Sequence, residues 1–297
     1  MAVGNIGNML QHYVALTVAK HVADECAHPN APVEYIDCYS MAPWETITGK
    51  QPQGFVGLVR GFENKSSRGD FVSSVFLNAW NSHYGEDVIP THPNDREYPN
   101  TAVLLTVAFP HQRWNMRLHE NDLTEAGKQA KLKQWLHDQK LATGEVNGDW
   151  QMSRQIVKAP VSHDSPVIVM LDPFRIVPDG SENANKPGYL KSGLLRMLMG
   201  EHALKICCDK IVSEKPLVVL LLSYSDVNPL IPDRIVRNQF SSGWHIQNVR
   251  SGPWKLRGID SYHQCWVVSR NLKFSESMDL QSAWDSWSQV KAEEANG

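Results

Sequence analysis

Five consecutive apolar residues, Val167-Ile168-Val169-Met170-Leu171, run directly into Asp172-Pro173-Phe174-Arg175. A short apolar run rich in β-branched residues and lacking alternation is a strand buried on both faces, the kind found inside parallel α/β sheets. Pro173 has no N–H to give to a ladder, so the strand ends at Asp172. A carboxylate and an aromatic ring then stand at the carboxyl end of a central strand, the edge where open α/β sheets hold ligands. The same residues also have a plain structural reading, with Asp172 capping a turn and Phe174 filling core.

The rest of the chain supplies what such a strand needs. Its 297 residues are 42% hydrophobic and 21% charged, with a formal charge of −3, which is ordinary for a globular protein. That balance excludes a histone-like or polybasic protein but leaves room for a local basic face, and Lys205 to Arg270 lean basic. Cys26, Cys38, Cys207, Cys208 and Cys265 form an odd set with neither a Cys-x-x-Cys nor histidine at zinc spacing, the pattern of a reduced cytoplasmic chain. No apolar run reaches membrane length, so no membrane is expected as a partner.

Taken in order, residues 8–27 carry apolar periodicity behind Asn8 and predict a helix on which His12 and His21 read as surface or boundary residues. Val33 to Asp37 predicts a strand ending in an acid, followed by a turn over residues 38–43 that contains Ser40 but no glycine. Residues 51–100, rich in Gly, Asn, Ser and Pro, read as an insertion or lid with little regular structure beyond a helical-looking middle. Ala102 to Ala108 can be helix or strand, Trp114 to His119 a strand, and Asp122 caps a helix reaching about Lys140. A helix follows over roughly residues 190–212, then a second buried strand from Leu217 to Leu222. Gly243 to Val249 and Tyr262 to Ser269 form a closing antiparallel pair joined through Ser251-Gly252-Pro253-Trp254. An exposed helix with Trp284 and Trp287 ends the chain. The expected class is α/β, a Rossmann-like class I methyltransferase sheet, mostly parallel with a terminal antiparallel pair and helices on both faces. One domain spans residues 1–275, with a helical tail over 276–297.

Several stretches in this order resemble the bacterial large-subunit ribosomal RNA adenine methyltransferases of the J type. Gly4-Asn5…Leu10-Gln11-His12 is similar to that family's opening motif, Tyr35-Ile36-Asp37 to its first strand, and Tyr98-Pro99-Asn100-Thr101 to its Tyr-Pro-Gly-Ser. Asn147-Gly148-Asp149-Trp150 resembles the turn whose acid holds the adenine of S-adenosylmethionine, and Asp172-Pro173-Phe174 the family's Asp-Pro-Pro-Tyr. The three-Cys-motif partner proteins look closer at these last two points. The resemblance implies S-adenosylmethionine as cofactor, with Asp37, Ser40, Asp149, Trp150, Asn5 and His12 around it. It implies an exocyclic amine of nucleic acid, RNA or DNA, as acceptor. Asp172, turned by Pro173, takes the amine N–H; Phe174 or Tyr189 stacks on the base, and Arg175 lies on the substrate side.

The pattern also departs from the family. No glycine loop follows Asp37, Gln11 and Asn8 replace a lysine and an aspartate, and Asp-Pro-Phe-Arg sets its ring one position early. Arg117 stands where an acid would bind the ribose hydroxyls, and a guanidinium cannot accept those bonds. Two further readings therefore stay open. One is a catalytically inactive methyltransferase-fold protein that binds nucleic acid or a partner protein. The other is a crevice in which Arg117 and Arg175 hold a phosphate-bearing ligand.

Overall fold

A computed structural model describes residues 6–25, 32–38, 40–46, 69–85, 97–120, 126–139, 141, 143–147, 165–172, 175–177, 189–191, 215–225, 230–240, 243–256, 259–272 and 278–289. The expected fold class is what the chain forms. In chain order the described elements are α1 (Ile6–Glu25), β1 (Val33–Asp37), β2 (Trp44–Thr46), α2 (Phe71–Tyr84), β3 (Glu97–Pro99), α3 (Thr101–Ala108), β4 (Trp114–His119), α4 (Ala126–Asp138) and β5 (Thr143–Asn147). They continue with β6 (Val167–Leu171), β7 (Arg175–Val177), β8 (Tyr189–Lys191), β9 (Leu217–Ser225), α5 (Leu230–Gln239), β10 (His245–Leu256), β11 (Ile259–Arg270) and α6 (Leu280–Gln289).

The main sheet has seven strands in the order β10-β11-β9-β6-β1-β4-β5. β1 pairs in parallel with β4 and β6, β4 with β5, and β6 with β9, while β11 runs antiparallel to both β9 and β10. From β1 the chain first adds β4 and β5 on one side, then returns to add β6 and β9 on the other. This reversal makes the gap between the tips of β1 and β6 the topological switch point, where such sheets bind ligands.

Alternation along each strand assigns the two faces. Tyr35, Met116, Ile168, Met170, Val218, Leu220 and Leu222 pack into the core shared with α1, α2, α3 and α6. Ile36, Val167, Leu171, Val219 and Leu221 pack on the other side, against Val236 and Phe240 from α5 and just beyond it. α1 is buried nearly all round, from Met9 through Val22, as a helix must be when it is covered by both sheet and helices. Gly144 lets α4 settle on β5, because a Cβ there would collide with Leu136.

Several expectations change. Part of the 51–100 segment is core: Val72, Val75, Phe76, Ala79 and Trp80 of α2 are buried, and β3 pairs with β2. Ala102–Ala108 resolves as helix, capped by Asn100, whose side chain accepts from Val103 N at 2.9 Å. Ser251 to Trp254 is not the hairpin turn but a register shift inside β10, so the two final strands run further than expected. Residues 189–191 are strand, paired with β7, where a helix was expected to begin. The rest of that expected helix lies outside the described residues.

The tail helix is packed, not exposed. Trp284 is 1% and Trp287 7% accessible, and both rings lie against Tyr13 of α1. The Trp287 indole N–H also donates to Asp70 Oδ2 at 3.0 Å. The same carboxylate accepts from Ser73 N and so caps α2.

On the opposite face, Asp233 of α5 ties helix to sheet. It accepts from Trp266 Nε1 at 2.8 Å, Asn248 Nδ2 at 2.8 Å and Arg237 Nε at 2.9 Å. Burial pushes its carboxyl up, but these three donors outweigh that and hold it below the ordinary carboxylate range.

Candidate functional site

One crevice opens at the switch point. Asn8, Gln11 and His12 from α1, Asp37 at the tip of β1, Met41, Ala42 and Glu45 from the following loop, Tyr98 to Thr101, and Met170 and Asp172 from β6 line it. Its volume is about 350 Å³, counting the space open to solvent. The sequence reading of Asp37 and Asp172 as neighbouring strand-tip acids therefore corresponds to one place in the molecule.

Asp37 is 2% accessible and accepts a hydrogen bond from Tyr35 Oη at 3.1 Å. The two side chains share a face because they are two apart on a strand. Asp172 is less enclosed, at the edge of the crevice, and burial raises its carboxyl to about 7. It is thus poised between acid and carboxylate near neutral pH.

His12 is not the surface or boundary residue that its helix position suggested. It is 3% accessible, with its ring between Phe76 and Tyr98. Its Nδ1 lies 3.1 Å from Thr101 Oγ1. Burial lowers its pKa to about 3, so the imidazole is neutral at pH 7. Gln11 donates toward Met170 Sδ at 3.4 Å and Thr101 Oγ1 at 3.5 Å. Thr101 therefore joins α1 to α3 at the crevice floor.

The glycine-free loop after β1 is fastened rather than open. Cys38 N donates to Met170 O, Ser40 N to His119 O, and Asn100 N to Pro43 O. Asn100 Nδ2 donates to Met41 O at 3.0 Å. Glu45 Oε1 accepts from Ala42 N at 3.2 Å and pairs with Lys128 Nζ at 3.2 Å. Ser40 and Ala42 are buried in this arrangement.

Arg117 does not stand in the crevice. On β4 it alternates with Trp114, Met116 and Leu118, which face the α1 side. The guanidinium instead lies on the other face, 4.0 Å from Glu34 Oε2. Glu34 also accepts from Asn115 at 2.8 Å. The expected cation at the ribose position is thereby corrected. The acid that ends β4 is Glu120, buried at 6% accessibility directly after the strand. An acid closing a strand is the rule that singles out Asp37 and Asp172, and on this strand it points to Glu120 rather than Arg117, although Glu120 is not among the residues lining the crevice.

Arg175 and Tyr189 are register partners in the small parallel β7–β8 sheet, which begins three residues beyond Asp172. Ile176 N anchors that sheet by donating to Ser223 Oγ of β9 at 3.0 Å. Asn5, Asp149, Trp150, Pro173 and Phe174 lie outside the described residues.

In chemical terms the described crevice offers carboxylates, amides, the hydroxyls of Tyr98 and Thr101 and the neutral His12 imidazole, with no arginine among its described lining residues. That set fits the cationic sulfonium and ammonium groups and the ribose hydroxyls of S-adenosylmethionine. It suits a phosphate poorly.

Fold and strand order together define a Rossmann-like α/β protein with a mostly parallel sheet and a terminal antiparallel pair. Comparison with known proteins supports the fold and goes no further. No family model matches the chain, and no curated protein does. Among solved structures, protein LPL1258 from Legionella pneumophila str. Philadelphia 1, described under the family model DUF519, superposes with a TM-score of 0.54. The match covers 91% of this chain and 86% of that one at 14% sequence identity, a likeness of fold alone. No helix among the described residues is long and apolar enough to cross a membrane.

Proposed function

We propose that this chain is an S-adenosylmethionine-dependent methyltransferase-like protein acting on an exocyclic amine, that of adenine, in nucleic acid. The observation that carries this reading is the meeting of Asp37 and Asp172 with Asn8, Gln11 and Thr101 around one crevice at the switch point. Asp37 and Ser40 would hold the methionine end and Glu120 the ribose hydroxyls. Asp149 and Trp150 would hold the adenine, with Asn5 and His12 closing the site from the N-terminal side. The bound cofactor supplies an electrophilic methyl group. Asp172 accepts a hydrogen bond from the acceptor amine and takes up the proton that the amine releases, a task suited to a carboxyl titrating near 7. In this reading Pro173 would end the strand, Phe174 or Tyr189 would stack on the base, and Arg175 would serve the substrate side.

The experiment is transfer of labelled methyl groups from S-adenosylmethionine to unmodified RNA and DNA, with wild type and Asp172→Asn in parallel. Transfer to one nucleic acid, lost in the variant, supports the proposal. Absence of transfer to either, with donor binding intact, moves the chain to the second reading.

That second reading, a catalytically inactive methyltransferase-fold protein that binds nucleic acid or a partner protein, has one observation in its favour. The loop after β1 carries a side chain at every described position, and Ser40 and Ala42 are packed into the protein. Close backbone approach to a cofactor usually relies on glycine at this turn.

A further inference from the structure

We propose that Tyr224 of β9 and His263 of β11 form the wall that receives the acceptor base, a planar uncharged heteroaromatic amine, beside Asp172. This rests on the reading of the crevice as a methyl-donor site and adds the subsite for the second substrate.

Register places the pair. Leu171 is level with Leu221, so Asp172 is level with Leu222 and its partner Cys265. Tyr224 and His263 face each other two residues further toward the carboxyl edge. Leu222 and Cys265 belong to the α1-side core, and alternation sets Tyr224 and His263 on that same side. The two rings lie 5.3 Å apart at 54°. The Cys265 thiol is pushed up first by burial and then by the Asp172 charge, a second sign that the carboxylate sits close to this strand.

The start of α1 completes the arrangement. Gly7 rests directly on the His263 imidazole, and any Cβ at that position would run into the ring. The next residue, Asn8, lines the crevice together with Asp172. The crevice and the Tyr224–His263 wall are thus adjacent, sharing the first turn of α1 as their common border.

Chemistry selects the ligand class. Burial lowers the His263 pKa to about 4, so at neutral pH the ring is uncharged, with one donor nitrogen and one acceptor. A neutral imidazole and a phenol ring next to a carboxyl group offer nothing to a phosphate. They offer a stacking face and paired hydrogen-bonding capacity to a base extruded from its stack. Tyr224 and His263 are rings carried at the tips of the strands that follow β6 in the main sheet.

The test uses the full chain and a single-stranded oligonucleotide in which one adenine is replaced by 2-aminopurine, whose fluorescence is quenched on stacking. Binding is followed with and without S-adenosylhomocysteine, whose own affinity is measured separately. Tyr224→Leu should weaken oligonucleotide binding by about tenfold or more and reduce the quenching. Tyr224→Phe, which keeps the ring, should retain both. Gly7→Ala, which displaces the imidazole without removing it, should lose oligonucleotide affinity as Tyr224→Leu does. S-adenosylhomocysteine affinity should stay at the wild-type value in the Tyr224 variants. Wild-type oligonucleotide affinity in both Tyr224→Leu and Gly7→Ala, or no binding by the wild type, overturns the inference. A wild type that fails to bind S-adenosylhomocysteine overturns the methyl-donor reading instead, while the Tyr224 comparison still decides the base subsite.

Discussion

Tyr35 Oη donates to Asp37 Oδ2 across 3.1 Å, and both residues are enclosed on the α1 face of β1. The bond helps to set the direction of the carboxylate at the crevice wall. Burial and the neighbouring Asp37 charge push the Tyr35 phenol well up, which keeps it protonated and donating.

Removing that donor is the first prediction. Tyr35→Phe keeps the ring in the core but removes one donor to the Asp37 carboxylate. Denaturant titration should show a loss of about 1–2 kcal/mol, the usual cost of a buried acceptor losing its donor. Calorimetric titration should show weaker S-adenosylhomocysteine binding. Wild-type affinity in a folded variant would mean that Asp37 needs no such orientation.

Asp172 makes a prediction with a definite sign. Its carboxyl titrates at about 7 in the folded chain against an ordinary value of 3.8. Between about pH 4 and 7 the unfolded chain has released a proton that the folded chain retains, so this group lowers stability as pH rises through that window. Above 7 the penalty is constant. Asp172→Asn should therefore be more stable than wild type at pH 8, by about 2 kcal/mol after allowing for the group's partial exposure, and equal to it near pH 4. Paired denaturation curves at the two pH values check this, and transfer activity in the wild type should rise through pH 7.

Asp233 should be costly to remove. Asp233→Ala strips the acceptor from the fully buried Trp266 indole N–H and leaves Asn248 Nδ2 with Gln264 Oε1, while loosening α5 from β10 and β11. The expected loss is about 2–3 kcal/mol by denaturant titration. An unchanged midpoint would show that apolar packing alone holds α5.

The terminal helix gives a similar test. Trp284 is 1% accessible against Tyr13, so Trp284→Ala should cost about 3–5 kcal/mol. A change within the range of surface substitutions would return this helix to the exposed tail suggested by its sequence.

These cases show what a linear reading can and cannot reach. β1 and β4 are legible to the residue because a β-branched or aromatic run closes on a polar tip, and β6 because five apolar residues meet proline. Arg117 is misjudged by parity: successive residues of a strand face opposite ways, so assigning a role to one residue instead of its neighbour moves it through the sheet. The burial of Trp287 depends on Asp70, 217 positions away. That of His12 depends on Phe76 and Tyr98, and no local pattern reports either. Ser251-Gly252-Pro253-Trp254 carries turn chemistry yet sits inside a long strand, because the antiparallel pairing with β11 resumes beyond it.

Thermal melting of the full chain with and without S-adenosylhomocysteine, repeated on Asp37→Asn and Asp149→Ala, tests the donor crevice most directly. Occupancy of the folded state alone raises the melting temperature with ligand concentration. Wild type should show a concentration-dependent rise that both substitutions abolish. A melting curve indifferent to S-adenosylhomocysteine, or a rise that survives both substitutions, would rule out a methyl-donor site in this crevice.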